Sequence, residues 1–72
     1  MDKDSTILKE FGDRIRELRK QKGLSQEQLS FKANLHRTYI GMIERGEKNI
    51  TLINIEKIAK AFDISINELM RL

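Results

Sequence analysis

Apolar residues in this chain recur three or four positions apart and nowhere alternate. Leu8, Phe11, Ile15 and Leu18 make one stripe, with Lys9, Glu10, Asp13, Arg16 and Lys20 mostly elsewhere. That period predicts an amphipathic first helix from about Thr6 to Lys22. Gly23 follows its last basic turn and takes the left-handed conformation without steric cost, so the helix ends there and Leu24 folds back on the core. Ser25 and Gln28 have the spacing of a capping box, which opens a second, short helix to about Ala33. Asn34 enters the left-handed region more readily than most residues and marks a sharp turn, and Leu35 then plugs the core. A third helix, about Arg37 to Arg45, turns Ile40 and Ile43 inward and stops at Gly46. Thr51 opens a fourth helix with Leu52, Ile55, Ile58, Ala59 and Phe62 at helical period. A second capping box, Ser65 with Glu68, starts a short fifth helix carrying Ile66, Leu69 and Met70.

These five short-linked helices leave no room for a linker or a second domain, so residues 1–72 read as a single all-α domain. Composition agrees: there is no Pro, and 35% of the 72 residues are charged. A core this small gives limited stability alone, which brings a partner subunit into consideration. The absence of Cys leaves neither a disulfide framework nor a thiolate metal site. The opening segment is charged every few residues and no apolar run approaches the ~18 residues of a membrane span, so no membrane association and a cytoplasmic location are expected.

The net charge of +3 is unevenly placed. Residues 1–22 hold seven basic and five acidic groups, 23–48 hold four and three, and 49–72 hold three of each. A modest excess of this kind either serves solubility or marks an anionic partner, and the motif must decide.

Two helices joined by a tight turn, the second rich in groups that reach base edges, form a helix-turn-helix. Leu29, Leu35, Ile40 and Ile43 supply its core. On the face opposite Ile40 and Ile43, three- and four-residue spacing places Arg37, Thr38, Gly41, Met42 and Arg45. Arg37 can donate two hydrogen bonds to guanine O6 and N7, and Thr38 can bond a base edge or set its methyl on that of thymine. With Met42 these are the expected base readers. Gly41 costs about 1 kcal/mol against Ala in an exposed helix interior; it either lets the helix approach DNA closely or eases packing on the second helix. Tyr39 either places its hydroxyl on a phosphate or is a half-buried aromatic with a solvated tip. His36, at the N-cap position, contacts phosphate or base or is simply an exposed boundary residue. Arg45, Lys48 and Asn49 are phosphate candidates, with a solvated charge the alternative for Lys48. One His and no Cys make a metal site remote, and no cofactor is expected.

The segment from Gln26 to Arg45 resembles the helix-turn-helix of lambda-repressor-like regulators of the Cro and C1 (XRE) type, and the five-helix plan extends the likeness over nearly the whole chain. Within that group, LHRTYIGMIERGEKNIT is especially similar to controller proteins of restriction–modification systems. The resemblance implies a phosphate contact from Gln26, aided by the N-terminus of the second helix. It also implies a buried ion pair between Arg19 and Glu44 that orients the scaffold. Three positions depart from the usual pattern: Ser30 in place of Ala, Asn34 in place of Gly, and Asp63 where a Gly often ends the fourth helix. The first two substitutes are small or tolerate a left-handed backbone; the third leaves the helix boundary open.

The resulting expectation is a homodimeric, sequence-specific transcriptional regulator acting on its own promoter. It would bind a pseudo-palindromic double-stranded operator, with RNA polymerase a further candidate partner. Residues 49–72 are the expected dimerisation region, through Ile66, Leu69 and Met70, since so short a helix has more apolar residues than one inward face can bury. Two alternatives stay open: a phage or chromosomal repressor, and an antitoxin-like helical module that binds protein. An enzyme is not expected, because the single His has no nucleophile or paired carboxylate around it.

Overall fold

A computed structural model describes residues 5–72; the charged opening tetrapeptide lies outside the described residues. Five helices follow in order: α1 (Ser5–Gln21), α2 (Gln26–Ala33), α3 (Arg37–Glu44), α4 (Leu52–Ala61) and α5 (Ile66–Leu69). The expected all-α architecture is the one observed, with boundaries within a residue or two.

Each of the first four helices ends in the same way. Gly23, Asn34, Gly46 and Asp63 have φ of 68°, 55°, 73° and 59°. In each case the next residue's N–H reaches back to close the last turn: Leu24 to Arg19, Leu35 to Ser30, Glu47 to Met42 and Ile64 to Ala59, at 2.9–3.0 Å. This is the Schellman arrangement, which satisfies carbonyls that a helix end would otherwise strand. Asp63 performs the turn that glycine makes elsewhere, because a short polar side chain tolerates the left-handed region. The open boundary of α4 is thereby fixed.

Helix starts are equally explicit. Ser25 Oγ accepts from Gln28 N while Gln28 Oε1 accepts from Ser25 N, at 3.0 and 2.8 Å, a complete capping box. At α5 only half of the expected box forms. Ser65 Oγ accepts from Glu68 N at 3.0 Å, but the Glu68 carboxylate turns away to Arg14 at 3.2 Å and Arg71 at 3.6 Å. A charge partner outcompetes a backbone N–H for that carboxylate.

The core unites all five helices: Phe11, Ile15 and Leu18 from α1, Leu29 and Ala33 from α2, Ile40 and Ile43 from α3, Ile58 and Ala59 from α4, Phe62, and Leu69 from α5. Leu24, Leu35, Tyr39, Ile50, Ile55, Ala61 and Ile64 pack around it. Two expectations about apolar residues need correction. Leu69 is fully buried in the monomer, so its side chain anchors α5 and has no surface left for a partner. Leu52 was placed on the inward face of α4 yet is 73% exposed; it sits a full turn before Ile55, where that face first meets the core.

α1 and α3 cross closely because residue 12 is glycine. A Cβ there would come within 2.4 Å of Ile43 O and 2.8 Å of Glu44 O. Both are backbone atoms, which cannot move aside as a side-chain tip would. This contact holds α1 flush against the end of the helix that carries the candidate site.

Candidate nucleic-acid interface

The site is built on α2, the Asn34 turn and α3. Ser30 is buried at the α2–α3 contact, and its hydroxyl donates to Glu27 O at 2.6 Å. That bond satisfies the one polar atom distinguishing Ser from Ala there. Leu29, Ile40 and Ile43 are each no more than 1% exposed, so α3 cannot rotate about its axis without unpacking the core.

His36 is the N-cap of α3, its Nδ1 accepting from Thr38 N at 3.3 Å. With Nδ1 engaged, Nε2 is the nitrogen left to face an external group. Arg37 and Thr38 follow in the first turn, both exposed, and neither side chain has a hydrogen-bond or ion-pair partner among the described residues. Met42 lies one turn further along, partly buried.

Gly41 belongs to the packed side of this surface: it is buried, and a Cβ on it would lie 3.1 Å from Arg45 Nη1 and 3.8 Å from Gln26 Oε1. Its missing side chain makes room for Arg45 to fold back along α3 and for Gln26 of α2 to approach. Arg45 Nε also donates to Glu47 Oε2 at 3.1 Å, and that hydrogen bond, with the carboxylate's charge, raises the guanidinium pKa further above its usual value. The group is a permanent cation held beside the recognition helix.

Tyr39 packs its ring on the core while its hydroxyl accepts from Asn54 Nδ2 of α4 at 3.1 Å. Lys48 Nζ lies 5.9 Å from the ring centroid, at the outer limit of a cation–π contact. A phenol, an ammonium and a carboxamide from three parts of the chain are thus brought together. Asn49 is exposed beside them in sequence. Asn54 was not singled out from the sequence, because only the fold carries α4 to Tyr39.

Behind the surface lies a single buried carboxylate. Glu44 Oε2 accepts from Arg19 Nε at 2.7 Å and Oε1 from Arg19 Nη2 at 3.1 Å, a two-pronged pair. Gln26 Nε2 donates to the same Oε1 at 3.1 Å, and Arg16 Nη2 donates to the Glu44 carbonyl at 2.9 Å. Arg19 Nη1 also donates to Leu24 O at 2.9 Å. The Glu44 side chain is 2% exposed and that of Arg19 14%, so α1, α2 and α3 converge on a charge pair largely withdrawn from water. Gln26, expected at a phosphate, therefore has its amide anchored inward through one N–H. Its second N–H and the unpaired backbone amides of the first turn of α2 remain to face outward. Arg16 and this anchoring of Gln26 had no signature in the linear sequence.

A tight helix pair, a buried hinge and an exposed first turn of α3 bearing unengaged donors define the motif. The family model described as Helix-turn-helix, HTH_3, matches residues 15–69. The chain belongs to the helix-turn-helix (HTH_3) family. Its relatives include the control protein C.BamHI of Bacillus amyloliquefaciens, 49% identical over 61 residues covering 83% of this chain and 75% of that one. Among solved structures, the restriction–modification controller protein C.AhdI from Aeromonas hydrophila superposes with a TM-score of 0.85 at 54% identity, over 88% of this chain and 96% of that one. The controller protein C.Esp1396I, solved as a tetramer in complex with its natural 35 base-pair operator, gives a TM-score of 0.82 at 38% identity, over 88% and 83% of the two chains. In this HTH_3 protein no described helix is long and apolar enough to cross a membrane, and no group of three or more acidic or His residues that could hold a metal ion occurs among the described residues.

Proposed function

We propose that this HTH_3 protein is a sequence-specific DNA-binding transcriptional regulator, a dimeric controller protein of a restriction–modification system acting on its own promoter in the cytoplasm. The observation that carries the reading is the first turn of α3: Arg37 and Thr38 stand exposed and unpaired on a helix whose other face is locked into the core. Such a turn enters the major groove, where Arg37 reads guanine and Thr38 and Met42 meet neighbouring base edges. The flanking donors suit phosphates: the first-turn amides of α2 with Gln26, His36 Nε2, the Tyr39 hydroxyl, Arg45, Lys48 and Asn49. A protein-binding module would instead present apolar side chains on this face of α3. The controller assignment rests on the similarity to C.BamHI, C.AhdI and C.Esp1396I.

Dimerisation is assigned to the segment 49–72. Ile66 and Met70, 37% and 38% exposed, are available to a partner, and Leu52 and Ile53 of α4, at 73% and 68%, are more so. Buried in a two-fold contact, each such side chain contributes about 1.5–3 kcal/mol. The twofold axis sets two recognition helices about 34 Å apart, in successive major grooves.

Fluorescence anisotropy on duplex DNA tests the reading. Affinity falls linearly with salt on logarithmic axes, and Arg37→Ala costs about 1–3 kcal/mol at one base position per half-site. Lys48→Ala weakens all sequences alike and shallows the slope by about 1. A flat salt plot, or an unaltered sequence preference in Arg37→Ala, overturns the proposal.

A further inference from the structure

Asn54 lies outside the helix-turn-helix, yet its side chain reaches the surface assigned to DNA. Its backbone N–H is already held by Thr51 Oγ1 at 3.2 Å, so the carboxamide is not needed to start α4. Instead Nδ2 donates across to the Tyr39 hydroxyl at 3.1 Å, and that contact is partly buried. A phenol oxygen has one proton to give and limited capacity to accept. With a donor already on the oxygen, the phenol proton must point away from Asn54. Tyr39 is itself half-buried with its ring packed on the core, so the remaining direction is outward, on the side where Lys48 Nζ lies over the ring.

We infer that Asn54 is a positioning residue for DNA binding: by donating to the Tyr39 hydroxyl it commits the phenol proton to a backbone phosphate. The inference rests on the phosphate role of Tyr39 proposed above. Polarisation along the chain Asn54 N–H to Tyr39 O–H to phosphate strengthens the outer bond, as donors in series do. Asn54 touches no DNA itself. It also sits next to Leu52 and Ile53, so the same turn of α4 that is offered to a second subunit supports the phosphate contact.

The test is a double-mutant cycle read by anisotropy, on a fluorescein-labelled duplex bearing the consensus that the wild-type protein selects from a randomised pool. Asn54→Ala should weaken binding about two- to tenfold and should have no further effect in a Tyr39→Phe background. Because a phenol carries no charge, neither change alters the salt slope, whereas Lys48→Ala does. Asn54→Asp puts an acceptor where the amide has its donor, turns the phenol proton inward, and should bind more weakly than Asn54→Ala. The chain has one Tyr and no Trp, so a single tyrosine 13Cζ resonance reports the bond in the free protein and should move in both Asn54 variants. An unmoved resonance, wild-type binding by Asn54→Asp, or an equal loss from Asn54→Ala with and without the Tyr39 hydroxyl overturns the inference. Loss in Tyr39→Phe with none in Asn54→Ala overturns it while leaving the phosphate role of Tyr39 standing. No loss in Tyr39→Phe removes that role and the inference together.

Discussion

Replacing Glu44 with Ala removes the acceptor on which three helices converge. Arg19 then keeps its bond to Leu24 O but loses both carboxylate contacts, the 2.7 and 3.1 Å bonds to Glu44, at a site where its side chain is only 14% exposed. Gln26 loses its anchor at 3.1 Å. Breaking one side of such a pair costs about 3–5 kcal/mol, because the surviving charge stays buried. A domain of 72 residues has a total stability on the order of 4–11 kcal/mol, so the loss is a large share of the whole. At about 4–8 °C per kcal/mol for a domain this size, Tm should fall by more than 10 °C, measured by circular dichroism at fixed protein concentration. The pair costs desolvation as well, so Arg19→Leu with Glu44→Met should lose less than Glu44→Ala alone. A Tm shift under about 4 °C in Glu44→Ala, or a double variant worse than the single, refutes the reasoning.

Three further substitutions probe the frame around the site. Gly12→Ala should lower stability by about 1–3 kcal/mol despite the better helix propensity of Ala, since the Cβ meets rigid backbone of α3; chemical denaturation measures it. Asp63→Gly should raise stability by about 0.5–1 kcal/mol in the same assay, by relieving a non-glycine residue of a left-handed φ. Leu69→Ala should cost about 2–5 kcal/mol in the monomer. Ile53→Asp should instead leave the fold intact and shift sedimentation towards the monomer, and a folded dimer in that variant contradicts the interface assigned here.

Much of the fold was legible in the sequence because its signals are local. The 3.6-residue period located α1 to α4, and Gly23, Asn34 and Gly46 marked ends that the structure closes with the same hydrogen bonds. What stayed hidden depends on which elements meet. Asp63 carries no sign that its backbone is left-handed until Ile64 is seen returning to Ala59. Gly12 looks like an unexplained weak point in α1 until α3 is laid against it. Periodicity also says which face of a helix is apolar without saying where along its length the core begins, which is why Leu52 was placed inside. Leu69 was assigned outward for the complementary reason, that one turn of helix cannot show how deeply it is set. At the site, the exposed residues of α3 followed from the inward ones by subtraction. The ties of Gln26 to Glu44 and of Tyr39 to Asn54 join residues 18 and 15 positions apart, a separation that no local pattern encodes.

The central claim is that two copies of α3 read one duplex through Arg37 and its neighbours. Selection of bound sequences from a randomised duplex pool by the purified protein tests it most directly. The account predicts an enriched consensus of two inverted half-sites with centres about 10–10.5 base pairs apart, each containing a guanine on which Arg37 acts. A pool that stays random after selection, or one that converges on a single unrepeated element, contradicts it.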